Sequence, residues 1–569
     1  MSSGTNDGAS AQALPADALA RWNALFRAHR VTECEALARQ LASDHPGAAK
    51  AWQLLGMSCF ARNDLAAARE HLRHAAALGR GDRSIWDNLG VVLRKCGEHA
   101  AAREAFRAAI ALAPSAGALW SNAAGNEFEA GNHAAALRLA SRAVELAPGL
   151  AAAWLQLGNV LGRLGRHAEA EGALRRSLGI APGSVEALLS LGTELAAQQR
   201  LQEACAVTTE AVRLAPDHSL AHINLGSLHD RLGDIDAARR HYRRARELEP
   251  ANLGSWSSEL YCLSHDASAD PREVFAAHRA FGDHVDARFG AQAAPHANDR
   301  DPARQLRVGV LSGDLRDHPV ARFLEPVWRE LDPAAIRLVA YDTSPATDAL
   351  ALRLRELAHE WVDVSKLSDD AIAARIRADA IDVLIDHSGH TARNRLPVFA
   401  RRPAPVQVMW FGYPGTSGLH SIDYRLVDAM LAPPGRLDHL FTERLTYLPS
   451  MLVFGRPEQL PSLSPSPLAR NGHITYGSFN RMNKLGDDVI AGWIEILRRV
   501  PDARLVIGAV SDEARADALR AHFATAGIAA RRLDFLPRLG MAEYLAAHGE
   551  IDLLLDAFPW TSSTTAQFG

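Results

Sequence analysis

The 569-residue chain has five cysteines, Cys34, Cys59, Cys96, Cys205 and Cys262, all in its first half. Their number is odd and none pair at metal or redox spacing, so neither a disulfide framework nor a zinc site is expected. They read as small buried hydrophobes in a reducing compartment. No run approaches the roughly 20 apolar residues of a membrane-spanning helix. The opening MSSGTNDGASAQALPADALARW has no basic stretch followed by an apolar one, so it is not a secretory signal. It reads as a disordered lead over residues 1–17. A soluble, cytoplasmic protein with no membrane partner is expected. The formal net charge is only −4, which gives no reason to expect nucleic acid. The absence of a Walker loop and of GxGxxG argues against a kinase, an NTPase or a dehydrogenase. Beyond residue 305 there is no Asp-x-Asp, so nothing suggests a metal-held diphosphate.

What the first half does contain is a ruler. Trp52, Trp86, Trp120, Trp154, Leu188, His222 and Trp256 stand 34 residues apart, and Pro114, Pro148, Pro182, Pro216 and Pro250 keep the same step. Ala-rich helical stretches lie between. The period and marks are those of tetratricopeptide repeats, helix–turn–helix units that bury their apolar faces only by stacking. About six full repeats are expected from residue 50 to 255, after a degenerate one, within a repeat region of 18–256. Two positions past the ruler come Leu54, Asn88, Asn122, Gln156, Ser190 and Asn224. Amides lined along a stack offer both donor and acceptor, which suits gripping a peptide backbone. Equally, they can cap or bridge neighbouring helices.

After a stretch that begins helical and ends polar (257–304), short apolar runs alternate with helical ones. The runs lie at 306–313, 336–343, 381–389, 405–415, 445–454, 474–480, 503–510, 532–537 and 551–560. Runs apolar throughout and separated by helices imply parallel sheets covered on both faces. The Pro/Ser-rich 456–471 divides them into two Rossmann-like lobes, 305–455 and 472–569. In such sheets ligands bind at the carboxyl ends of the strands.

The loops there carry candidates. Asp314, Asp317 and His318 cluster after the first strand; His318 can serve as base or acid near neutrality, or simply cap the helix. WFGYPGTSG brings Gly412, Gly415 and Gly418, a backbone open to close approach or a tight turn. Arg481 and Lys484 in GSFNRMNKL stand where a strand hands over to a helix, placed for a diphosphate. TSSTT (561–565) follows the last strand and, in company with Lys484, reads as a phosphate cradle.

These stretches together, with LRVGVLSGDLRDHPVARFLEP, RRPAPVQVMWFGYPGTSG and DLLLDAFPW, resemble the protein O-GlcNAc transferase family in its bacterial form. The resemblance runs over nearly the whole chain from about residue 50. It implies an α superhelix of repeats followed by an α/β region of GT-B fold, with the second lobe incomplete. It implies inverting, metal-independent transfer of N-acetylglucosamine from UDP-GlcNAc to Ser or Thr of proteins, with no cofactor. Residue by residue, His318 matches the active-site histidine and Lys484 the lysine that stabilises the leaving UDP. Gly412 and Pro414 match the loop against the sugar, and Arg481 falls in the diphosphate turn beside Lys484. Thr564 and Thr565, with Ser563 before them, match the helix start that holds phosphate. Asn88, Asn122 and Asn224 match parts of an asparagine ladder for acceptor peptides.

Two departures touch the donor site. The family's Asn-Gly-Gly or Asn-Gly-His is Thr561-Ser562-Ser563 here, and its uracil-side histidine is Tyr544. They leave UDP-glucose as an alternative donor. A second alternative is an inactive scaffold that binds protein partners through its repeats. A homodimer through the repeats is a further expectation. A lobe begun near 472 needs roughly 150 residues or more to close, so about 100 are expected to be missing.

Overall fold

The computed structural model describes residues 14–266, 268–292, 295–451, 453–455, 460–462, 465–510, 513–558, 561 and 566–567. The chain divides into two compact units, Met1–Ala215 and Pro216–Gly569. Among the described residues no helix is long and apolar enough to cross a membrane.

The first unit is a stack of helix pairs. The pair Ala16–Arg27 and Val31–Asp44 comes first, and five pairs run from Ala49–Ala61 to Leu201–Leu214. The ruler has a physical cause. The indole N–H groups of Trp52, Trp86, Trp120 and Trp154 donate to the carbonyls of Pro46, Arg80, Pro114 and Pro148, each six residues back, at 2.8–3.0 Å. The tryptophan therefore ties the turn that enters each repeat to its own first helix. Leu188 fills the position without a donor.

A second 34-residue register sits at the helix crossings. A Cβ on Gly56 would fall 2.7 Å from Leu72, and one on Gly90 or Gly158 would fall 2.6 Å from Phe106 or Leu174. Where the glycine becomes Ala124, its opposite is Ala140, and both are fully buried. The small residue makes room for the side chain opposite it, as close packing requires.

The second unit begins with one more pair, Ser219–Leu232 and Ile235–Leu248. This pair continues the repeat pattern within the expected repeat region 18–256, although it lies in the second compact unit. Its ruler residue follows the rule, because His222 Nε2 lies 2.9 Å from the Pro216 carbonyl and Trp256 donates to Pro250. The expected linker 257–304 is corrected. Helices Leu253–Leu263 and Pro271–Phe289 set Leu260, Phe281 and Val285 into one core with Leu311, Val339 and Tyr341. They are part of the first lobe, because the sheet face they cover would otherwise be bare.

That lobe is a seven-stranded parallel sheet of β1 (Leu306–Ser312), β2 (Ile336–Asp342), β3 (Glu360–Asp363), β4 (Val383–Asp386), β5 (Val406–Met409), β6 (Tyr424–Val427) and β7 (Arg444–Tyr447). The order is β3-β2-β1-β4-β5-β6-β7, and each pairing is parallel. The second sheet has β8 (Thr475–Ser478), β9 (Arg504–Ile507), β10 (Leu533–Phe535) and β11 (Leu553–Leu554), in the order β10-β9-β8-β11, also parallel. Both are doubly wound, as a GT-B fold requires. Their strand order reverses beside β1 and beside β8, which puts the binding crevices at the carboxyl ends of those strands.

Candidate functional site

β1 ends at Ser312, and the chain turns through Asp314 to His318, which caps helix Pro319–Arg329. The Val320 N–H donates to His318 Nδ1 at 3.4 Å. With Nδ1 accepting, a neutral ring carries its proton on Nε2, so that nitrogen is a donor. Burial, aided by the Arg316 and Arg481 charges, lowers the ring's pKa to about 4, so the imidazole is neutral at physiological pH. Nδ1 of His318 thus caps the helix, while the ring proton is on Nε2. Asp314 is buried beside it and its carboxyl is pushed up to about 6 by burial, against the pull of Arg316, Arg393 and Arg481. Asp317 faces outward and pairs with Arg322 at 2.5 Å.

Arg393 sits in the loop after β4 with a φ of 64°. Its carbonyl accepts from Thr343 Oγ1 and its guanidinium reaches Ser344. Left-handed backbone at an arginine is sparsely populated and is held by such surroundings.

The loop after β5 is held from below. Arg425 of β6 is fully buried and donates to the carbonyls of Tyr413, Pro414 and Gly415 at 2.5–3.2 Å. The Glu443 carboxylate accepts from Thr416 Oγ1 at 2.6 Å, from the Ser417 N–H at 2.7 Å and from Ser417 Oγ. Tyr413 Oη bonds His278 Nε2 at 2.7 Å, which ties the loop to helix Pro271–Phe289. Gly412 has a φ of 72°, and a Cβ there would overlap the His387 carbonyl. Its close approach is thus to the β4 loop of the protein itself, and it leaves Pro414 exposed at the tip.

In the second lobe β8 runs into the short turn Met482–Lys484. Lys484 Nζ donates to the Thr561 carbonyl, 3.2 Å away beyond β11. The expected meeting of Lys484 with the start of TSSTT is therefore present; Ser563, Thr564 and Thr565 lie outside the described residues. Burial, with Arg481 adding to it, lowers the Lys484 ammonium to about 8. Arg481 caps the turn, is exposed, and bears electrostatically on Asp314 and His318 of the other lobe. Tyr544 packs edge-on against Phe479, just past β8, with ring centroids 5.7 Å apart.

The amide row is less uniform than its spacing. Asn122 Nδ2 donates to Asp87 of the preceding repeat at 2.9 Å, so this amide bridges helices. Asn88 is half-buried in helix Arg83–Lys95 of the same unit, and Asn224 is half-buried in helix Ser219–Leu232 of the second unit.

Among the described residues no three His, Cys, Asp or Glu side chains gather as metal ligands. What the sequence did not signal is the support: Arg425, Glu443, and the buried His278 and His390, whose ring nitrogens take up Tyr413 Oη and the Ser417 carbonyl. Only the loop's unmet carbonyls call for them, and those are invisible without coordinates.

Residues 251–464 match the model of glycosyl transferase family 41, and tetratricopeptide-repeat models match 84–116, 127–193 and 219–252. The chain is 32% identical over 329 residues to a probable UDP-N-acetylglucosamine–peptide N-acetylglucosaminyltransferase SPINDLY of Arabidopsis thaliana, covering 56% of this chain and 36% of that one. It is 33% identical over 219 residues to the UDP-N-acetylglucosamine–peptide N-acetylglucosaminyltransferase of Caenorhabditis elegans, covering 38% and 19%. The chain thus spans about a third, or less, of the length of these curated relatives. A solved structure of a Thermobaculum terrenum O-GlcNAc transferase mutant is similar at 34% identity and a TM-score of 0.67, over 74% of this chain and 80% of that one. With that coverage, and with the repeats leading into two parallel lobes, the chain belongs to the O-GlcNAc transferase family, glycosyl transferase family 41.

Proposed function

We propose that this protein is an inverting glycosyltransferase that moves N-acetylglucosamine from UDP-GlcNAc to Ser or Thr hydroxyls of proteins. The observation that carries the reading is the pairing of a half-buried lysine at the β8 crevice with the chain beyond β11. The hydroxyl oxygen bonds to the anomeric carbon as the bond from that carbon to the β-phosphate oxygen breaks. UDP leaves with the electron pair and the hydroxyl proton goes to solvent. Lys484 and Arg481, rather than a metal ion, meet the charge that grows on the diphosphate, a kind of stabilisation worth about 3 kcal/mol per donor. His318 presents Nε2–H and orients the acceptor hydroxyl; it does not take the proton, because that nitrogen is already protonated. Gly412 and Pro414 offer backbone to the sugar, Tyr544 a ring to the base, and Ser563 to Thr565 a helix start to the phosphates. Asn88 and Asn224 contact acceptor peptides, and Asn122 does so through its carbonyl oxygen and its second amide N–H.

The test is calorimetric titration of UDP into the full chain, followed by turnover of UDP-GlcNAc and UDP-glucose side by side. UDP binding that is lost in Lys484→Ala, with GlcNAc the better sugar, is the expected result. Better turnover of glucose would reassign the sugar. Absence of UDP binding would leave the scaffold reading in its place.

A further inference from the structure

We propose that Asp230, on the last helical repeat, is a positioning residue for the diphosphate turn. It fixes Lys484 by holding the side chain of Asn483, so that the repeat forms one wall of the donor site. The proposal rests on reading Lys484 as the diphosphate ligand; the anchoring contact itself does not.

Asp230 lies in the final turn of helix Ser219–Leu232. Its Oδ1 accepts from Asn483 Nδ2 at 3.2 Å and from the Cys262 thiol at 3.5 Å. The helix ends on Gly233, whose φ is 81°, and a Cβ there would stand 3.0 Å from the Met482 carbonyl oxygen. Helix end and turn therefore meet backbone to backbone. Both of these hydrogen-bond partners are neutral; burial raises the carboxyl, against the pull of Arg481 and Arg231. A half-buried carboxylate adds little apolar packing to a fold. Packing alone would not select it here; an acceptor aimed at one amide does.

The geometry explains what that amide controls. Met482–Lys484 is a single 3₁₀ turn, in which successive side chains point about 120° apart. Pinning residue 483 against the helix fixes the direction of residue 484. Lys484 is thereby sent the other way, to the Thr561 carbonyl. Met482 and Leu485 root the turn in the core on either side; without the anchor at Asn483 between them, the direction of the ammonium is less closely set.

The experiment uses the full chain and four variants: Asp230→Ala, Asp230→Asn, Asn483→Ala and the Ala–Ala double. Two readouts are taken, amide hydrogen exchange across residues 480–486 and calorimetric UDP affinity. Either single Ala variant is expected to speed exchange in that segment and weaken UDP about tenfold, the size of one charge-assisted hydrogen bond. Asp230→Asn keeps an oxygen acceptor and should return both readouts to within about twofold of wild type, which loss of packing would not allow. The double variant should be no worse than either single one. Wild-type exchange and affinity in Asn483→Ala would overturn the proposal, as would failure of Asp230→Asn to rescue, or simple addition in the double. If the wild-type chain binds no UDP, the donor reading fails, while the exchange readout still decides the anchor. Should Asp230→Ala not fold, Asn483→Ala and Asp230→Asn carry the test.

Discussion

At the scale of single residues the site is a set of displaced protonation equilibria. Lys484 is charged below about 8 and neutral above it. UDP affinity should therefore hold from pH 6.5 to 7.5 and then fall by up to about tenfold per pH unit above 8, as the proton that binding requires must be taken up. Calorimetry at pH 7 and 9 measures this, and Lys484→Met should remove the slope along with the affinity. His318 separates cap from chemistry. His318→Ala should lose both turnover and about 1 kcal/mol of stability, whereas His318→Asn keeps a capping oxygen and should lose turnover alone. Full turnover in the Asn variant would reduce the ring to a cap. Lys484 and His318 were legible in the sequence because each stands directly after a strand. Arg425 and Glu443 were not, because each serves a loop far along the chain and carries no local signature.

Secondary-structure elements repeat this contrast. The apolar runs announced β1, β2, β4, β5 and β7 to β11, since strands buried on both faces read as unbroken hydrophobic stretches. β3 escaped because Glu360–Asp363 begins and ends in a carboxylate at the sheet edge. β6 escaped because Arg425 interrupts it, and that same arginine reaches out to the 413–415 carbonyls. The glycine loop was read as a backbone open to close approach, and at Gly412 the His387 carbonyl is one such neighbour. Gly412→Ala should force either a strained φ or retreat from the His387 carbonyl, for a loss of about 2 kcal/mol or more. A drop of several degrees in the melting temperature of the second unit would register it. Glu443→Ala should cost still more, because it leaves Arg425 as a buried cation facing one fewer carboxylate.

For the molecule as a whole, the two compact units divide between Ala215 and Pro216, and this has consequences for any fragment. A chain of residues 216–569 should fold by itself. One of 305–569 should not, because it discards Leu260, Phe281 and Val285 from a core they share with β1 and β2. Each such side chain is worth about 2 kcal/mol of burial, and together they approach the net stability of a domain. A cooperative melt for the first fragment and none for the second is the expected pair of results; a cooperative melt for the shorter one would restore the linker reading. The repeat ruler itself continues through Trp256, so the repeat region and the compact units divide the chain at different points.

The tryptophan bond that closes six residues back has a last consequence, for descent rather than for chemistry. Donor and acceptor lie in the same 34-residue block, and so do the glycine and the side chain it accommodates. A duplication of one block copies a turn with its fastening and a crossing with its fit already matched. Repeat number can thus grow or shrink by whole blocks through copying errors in the gene, without compensating substitutions inside each copy. Leu188 and the Ala124–Ala140 crossing are the places where a block departs from that pattern, each by a change inside one block.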